Sequence, residues 1–197
     1  MKRKICFVTS SRADYGLLYN LIRKSKSQKS IHTQIVVTGM HLLKKFGLTY
    51  KEIIKDGFKI NKKVNLNVRS DEAKDILKLT SEGIIKFEKV IKKLKPDIVV
   101  LLGDRFETFS FSVSALISRL PIAHIHGGES TLGAFDDALR HSITKMSHIH
   151  FASTKEYKKK ILQLGENPKL VFNVGSLGAE NISKTKLYNK KKVESRL

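Results

Sequence analysis

Residues Pro121 to His141, Pro-Ile-Ala-His-Ile-His-Gly-Gly-Glu-Ser-Thr-Leu-Gly-Ala-Phe-Asp-Asp-Ala-Leu-Arg-His, carry the reading of the whole chain. The apolar run Ile122 to Ile125 reads as a short buried strand and the glycines after it as a loop. Leu139, Ile143 and Met146 then recur at the spacing of a helix that begins near Asp136. The loop therefore lies at the carboxyl end of a strand, where open parallel sheets hold their ligands. Three histidines, three carboxylates and one arginine fall within this stretch. A second cluster, Gly103-Asp104-Arg105-Phe106-Glu107, directly follows the apolar run Ile98 to Leu102 and projects from the same edge. Together the two clusters make a candidate acid/base site.

Working outward, strand and helix patterns alternate along the rest of the chain. Ile5 to Val8 is a wholly apolar run of the kind found in central parallel strands, and Thr9 to Gly16 reads as a polar loop before a helix from Leu17 to Lys24. No Gly-x-Gly-x-x-Gly follows this first strand, which speaks against a standard nicotinamide dinucleotide site. Ser10, Ser11 and Arg12 either hold a phosphate or sugar at the helix start or form an N-cap beside a solvated arginine. Further strands are expected at Gln34 to Thr38, Val64 to Val68, Ile98 to Leu102, His150 to Ala152 and Leu170 to Val174. Helices are expected at Tyr50 to Lys55, at Asp71 to Lys95 before Pro96, around Phe109 to Ile117, and at Lys155 to Leu164, where Ser153-Thr154 supplies the cap. This order predicts an α/β protein: a Rossmann-like open parallel sheet with helices on both faces.

The 197 residues suffice for one sizeable core. A formal net charge of +20 would ordinarily suggest a polynucleotide or an anionic surface, but here the excess is lysine dispersed along predicted helices. A nucleic-acid face would gather arginine and aromatic residues in one patch, so no nucleic-acid partner is expected. A small anionic ligand fits the charge. Cys6 is the only cysteine and lies in a strand pattern, which excludes an internal disulfide and a cysteine-based metal site. The basic start Met-Lys-Arg-Lys precedes too short an apolar run for a signal peptide, and no run approaches the roughly 20 apolar residues that cross a bilayer. A cytoplasmic protein without a membrane segment is expected. His124, His126 and His141 with Glu129 could be taken for zinc ligands, but they lack the helical His-x-x-x-His spacing, so neither metal nor other cofactor is expected.

Several stretches, in order, resemble the hydrolysing UDP-N-acetylglucosamine 2-epimerase family of sialic-acid and legionaminic-acid type pathways. They are Thr9-Ser-Ser-Arg-Ala-Asp-Tyr-Gly16, Val37-Thr-Gly-Met-His41, Leu102-Gly-Asp-Arg-Phe-Glu107, His124-Ile-His-Gly-Gly-Glu129, Asp136-Asp-Ala-Leu-Arg-His-Ser-Ile-Thr-Lys-Met-Ser147, Gln163-Leu-Gly-Glu166 and Val174-Gly-Ser-Leu-Gly-Ala-Glu180. The resemblance implies the first half of a GT-B fold at 1–180, a basic linker or truncated tail at 181–197, and a second domain that is absent or supplied by a separate carboxyl-terminal half. It implies a UDP-sugar substrate: UDP-N-acetylglucosamine, or alternatively UDP-N,N'-diacetylbacillosamine, with a non-catalytic nucleotide-sugar-binding module as a further alternative. The family's catalytic acids fall on Asp104 and on the Asp136/Asp137 pair, and its phosphate-side arginine on Arg12. A position that is glutamate in non-hydrolysing relatives is His126 here, with Glu129 three residues on. Ser10, Ser11, Arg105, Gly127, Gly128, Arg140 and His141 complete the expected substrate contacts. Without the resemblance, Asp136 and Asp137 read equally well as favourable charges at a helix start, paired with Arg140 one turn on. A homodimer through the amphipathic helix from Asp71 is the remaining partner expectation.

Overall fold

Parallel strands buried on both faces are apolar throughout, and the first strand shows why this chain builds such a sheet. In β1 (Arg3–Thr9) the side chains alternate: Cys6 and Val8 enter one core, Phe7 the other. A computed structural model describes residues 2–66, 70, 72–130, 135–184 and 194. Among these, β1, β2 (Ile31–Thr38), β3 (Lys62–Val64), β4 (Ile98–Leu102), β5 (Ile122–Ile125), β6 (Ile149–Ala152) and β7 (Val171–Asn173) form one seven-stranded sheet in the order β3-β2-β1-β4-β5-β6-β7. Every pair is parallel.

That order reverses between β1 and β4, and such a reversal opens a crevice beyond the carboxyl ends of the two strands. On one face α3 (Ala73–Leu94) and α4 (Phe106–Ile117) pack Phe87 against Phe111, ring centroids 4.9 Å apart, over Val99, Leu101 and Ile122. On the other, α1 (Arg12–Ser27) and α2 (Tyr50–Lys55) place Leu18, Ile22 and Ile53 over Phe7, Ile35 and Val37. Because α1 lies over β1 and β2, the same face near β4 to β6 keeps an apolar cleft of about 350 Å³. The chain continues through α5 (Asp136–Met146), α6 (Lys155–Gln163) and α7 (Leu177–Lys184).

Two expectations are corrected. Helix α1 begins at Arg12 rather than Leu17, because Ser11 caps it by accepting from the Asp14 amide while Asp14 accepts from the Ser10 hydroxyl and amide. The Thr9–Gly16 loop is thus mostly helix, its polar residues spent on a capping arrangement. Strand β3 is shifted to Lys62–Val64, where it pairs with Val36 to Thr38; the expected continuation through Asn67 and Val68 lies outside the described residues, as do Asp71 and the tail 185–197 apart from 194. Helix α7 runs through Glu180 and is tied to α1, Asn181 bonding both Asn20 (2.6 Å) and the Gly16 carbonyl (2.7 Å). No helix among the described residues is long and apolar enough to cross a membrane.

Phe111 is fully buried at the centre of the α3/α4 layer. Phe111→Ala is expected to lower the free energy of unfolding by about 3–5 kcal/mol, read as a lower urea midpoint at unchanged slope.

Candidate active site

Four strand ends build the rim of the crevice. β4 is followed by Gly103-Asp104-Arg105, β5 by His126-Gly127-Gly128, β6 by Ser153, and β1 by Ser10-Ser11. Gly103 takes φ +69°, the left-handed turn that brings Asp104 to the rim. Its carbonyl is pinned from below by His124, whose Nε2 lies 2.8 Å away while Nδ1 faces the Thr144 hydroxyl at 3.3 Å. With both ring nitrogens engaged in full burial, His124 is held neutral, its pKa driven by desolvation to about 3. His41 is a second such pin, between the Thr9 and Thr49 hydroxyls at 3.0 and 2.7 Å, with its pKa lowered by burial to about 4.

Arg140 joins the rim together. It stands one turn into α5, only 8% exposed, and donates from Nη2 to Asp104 and from Nη1 to Glu129 (3.1 Å) and to the His126 carbonyl (3.1 Å). One guanidinium therefore bridges carboxylates from two strand ends, where a planar fork suits bidentate recognition. Burial raises the Asp104 pKa above its ordinary 3.8; Arg140 opposes that rise and the nearby charge of Asp136 adds to it. Glu129 is completed by Ser153, whose hydroxyl donates to Oε1 at 2.6 Å.

His126, directly after β5, takes the left-handed region, φ +64°. That conformation costs a non-glycine residue about 1–3 kcal/mol and persists only where the surroundings over-determine it. Here the His126 amide donates to the Phe151 carbonyl (3.0 Å) and its own carbonyl is taken by Arg140. Its Nδ1 stands 3.4 Å from Glu129 Oε1. Burial lowers the His126 pKa, and Glu129 works against that shift.

The structure thus brings Asp104, His126, Glu129 and Arg140 together, with Asp136 close enough to act on Asp104. It separates others. Arg140 pairs across the sheet rather than with Asp136 one turn away; Asp137 faces His141 on its own helix at 3.5 Å. Arg12 is exposed and pairs with Glu52 (3.2 Å) beside a separate cleft of about 470 Å³, while Ser10 and Ser11 serve the α1 cap. Arg105 turns towards Glu107, which is 2% exposed, and its Nη2 reaches Met40 Sδ at 3.4 Å. Gly127 and Gly128 are explained by packing: a Cβ at Gly127 would press on His124 and Thr144 at 3.0 Å, and one at Gly128 would collide with the Tyr157 carbonyl of α6. Ser153 was legible only as part of a helix cap; Thr154 alone performs that task, accepting from the Tyr157 amide, and frees Ser153 for Glu129. Ser153 directly follows a parallel strand, the one signal that could have singled it out. No group of three or more potential ligands capable of holding a metal ion occurs among the described residues.

The family model for UDP-N-acetylglucosamine 2-epimerase matches residues 23–197. The chain belongs to this family. It is 47% identical over 196 residues to the GDP/UDP-N,N'-diacetylbacillosamine 2-epimerase (hydrolyzing) of Campylobacter jejuni, covering 100% of this chain and 51% of that protein. It is 36% identical to the UDP-N,N'-diacetylbacillosamine 2-epimerase (hydrolyzing) of Legionella pneumophila, covering 94% and 49%. The crystal structure of UDP-GlcNAc 2-epimerase from Neisseria meningitidis, bound to UDP-GlcNAc, shares the fold with a TM-score of 0.79 at 21% identity, over 91% of this chain and 48% of that one. The chain spans about half the length of the relatives it matches. The Rossmann-like sheet corresponds to the first half of a GT-B fold, as the family resemblance implied.

Within this epimerase-family chain the Arg140 bridge opposes the rise that burial imposes on the Asp104 pKa. In Arg140→Met the Asp104 carboxyl is expected to titrate at still higher pH than in the parent chain, because burial and Asp136 remain and the opposing cation is gone. Carboxyl ¹³C NMR across a pH series measures this; an unchanged or lower Asp104 pKa would contradict it.

Proposed function

We propose that this chain forms the catalytic-acid half of a hydrolysing 2-epimerase acting on a UDP-linked 2-acetamido sugar, with UDP-N,N'-diacetylbacillosamine as first substrate and UDP-N-acetylglucosamine as second. The observation that carries the proposal is the convergence of Asp104, Glu129 and His126 on the buried Arg140 at the carboxyl rim of the sheet. The order of the two substrates follows the names of the Campylobacter and Legionella relatives.

The reaction removes a proton from carbon 2, expels UDP from carbon 1, and adds water across the resulting double bond. Inversion at carbon 2 needs one group that takes the proton from one face of the sugar and another that returns a proton to the opposite face. Asp104 and His126 follow the adjacent strands β4 and β5, and Arg140 donates to the Asp104 carboxylate through Nη2 and to the His126 carbonyl through Nη1. A carboxyl whose pKa is raised by burial holds a proton more readily than an ordinary one, and an imidazole that burial favours as the neutral form has a nitrogen free to accept one. The departing diphosphate requires cationic or hydrogen-bonding support, for which Arg105 and Arg12 are this chain's candidates and a separate carboxyl-terminal half is the proposed complement.

UDP release from each sugar, with and without the carboxyl-terminal half of the Campylobacter relative added as a separate chain, tests this reading. Asp104→Asn is expected to lower turnover by roughly 100-fold or more. Near-normal turnover of that variant would remove Asp104 from the mechanism, and no UDP release under either condition would remove the activity.

A further inference from the structure

Three of the chain's histidines are deeply buried, and their ring nitrogens are used differently. His41 and His124 have both nitrogens within hydrogen-bonding distance of neighbouring groups, which leaves them no free chemistry. His150 faces Glu166 at 3.1 Å and also leaves its buried Nδ1 without a hydrogen-bond partner among the described residues, but from the amino-terminal half of β6, away from the rim. His126 has its unpartnered nitrogen at the rim itself, where a ligand bound beyond the strand ends would meet it. Its Nδ1 is directed at Glu129, while its Nε2 is shielded from solvent with no hydrogen-bond partner among the described residues. The ring as a whole remains 13% exposed.

Glu129 is held from two sides. Ser153 donates to the same Oε1 that faces the imidazole, and Arg140 donates to Oε2, so neither oxygen is free to swing away from the ring. An imidazole nitrogen facing a carboxylate is favoured in its N–H form, which leaves the other nitrogen bare. A buried, unpartnered acceptor in a native structure calls for a group that fills it.

We propose that His126 and Glu129 form an acid–base dyad in which Glu129, clamped by Ser153 and Arg140, holds the imidazole as its Nδ1–H tautomer and leaves Nε2 as the proton acceptor of the site. This rests on the epimerase reading above and assigns to it a specific atom. The carbon 2–hydrogen bond of the sugar breaks, and its electron pair forms the carbon 1–carbon 2 double bond. The carbon 1–oxygen bond breaks with its pair departing on UDP, and the proton stays on Nε2 as an imidazolium facing Glu129. Ser153 is then a positioning residue: it touches Glu129, not the sugar.

Long-range ¹H–¹⁵N NMR of the histidine-labelled 197-residue chain tests the dyad without any ligand, with His126→Gln identifying the His126 signals. The expected result is a protonated Nδ1 and a bare Nε2, with the Nδ1–H form losing ground in Ser153→Ala and more so in Glu129→Ala. A protonated Nε2 in the parent chain would overturn the proposal, as would a tautomer indifferent to both substitutions. If Glu129→Ala does not fold, the parent chain and Ser153→Ala still decide it. A UDP-sugar titration then separates the two readings: displacement of the Nε2 signal supports the assigned role, binding that leaves Nε2 unmoved overturns it, and a chain with the expected tautomer that takes up no UDP-sugar counts against the substrate, not the dyad.

Discussion

A guanidinium taken almost wholly out of water must be compensated, and in this chain the compensation organises the rim of the sheet. Arg140 reaches from α5 to the end of β4 through Asp104 and to the loop after β5 through Glu129 and the His126 carbonyl. Removing one partner of a buried ion pair costs about 3–5 kcal/mol, because the charge left behind is no longer balanced. The pairing therefore keeps three chain segments in register while holding two carboxylates in the same small space. Burial raises the Asp104 pKa and Asp136 adds to the rise, while the one shared cation works against them.

Beneath the charged layer lies a neutral one. His124 and His41 carry polar groups into the core without carrying charge, each spanning two elements through opposite ring nitrogens. His124 is the more consequential, because it grips the carbonyl of Gly103, the hinge from which Asp104 leaves the strand. Glycine is needed at two positions in this layer for different reasons. Gly103 adopts a positive φ in open space, whereas Gly128 combines a positive φ with such close approach to α6 that no side chain fits. The site is thus fixed by hydrogen bonds from below and by an ion pair from the side.

Most of the fold was legible in the chain because buried parallel strands must be apolar at every position, and Ile5 to Val8 and Ile98 to Leu102 leave no other reading. The misplaced start of α1 has a local cause. Ser10, Ser11 and Asp14 look like loop residues by composition, yet their side chains satisfy the free amides of a helix start, and composition does not distinguish the two uses. β3 was misplaced because Lys62 and Lys63 are not apolar; an edge strand tolerates them, and its position follows from pairing with β2. In the site, the motif positions Asp104, His126, Glu129 and Arg140 were all named in advance. Their mutual pairing was not, because the nearest partner in sequence, Asp136, is not the partner in space.

By itself the sequence determined which residues follow the central strands β1, β4 and β5, since alternation of apolar strands and amphipathic helices is a one-dimensional pattern that the backbone periods of 2 and 3.6 impose directly. It determined the family in the same way, through ordered motifs. Only the tertiary structure decided that Arg140 answers to β4 and β5 rather than to its own helix, that Ser153 serves Glu129 while Thr154 caps α6, and that His126 keeps Nε2 buried and unpartnered at the rim. Those are choices among chemically equivalent partners. They are settled by which strand ends the sheet order places side by side and by how little water remains between them.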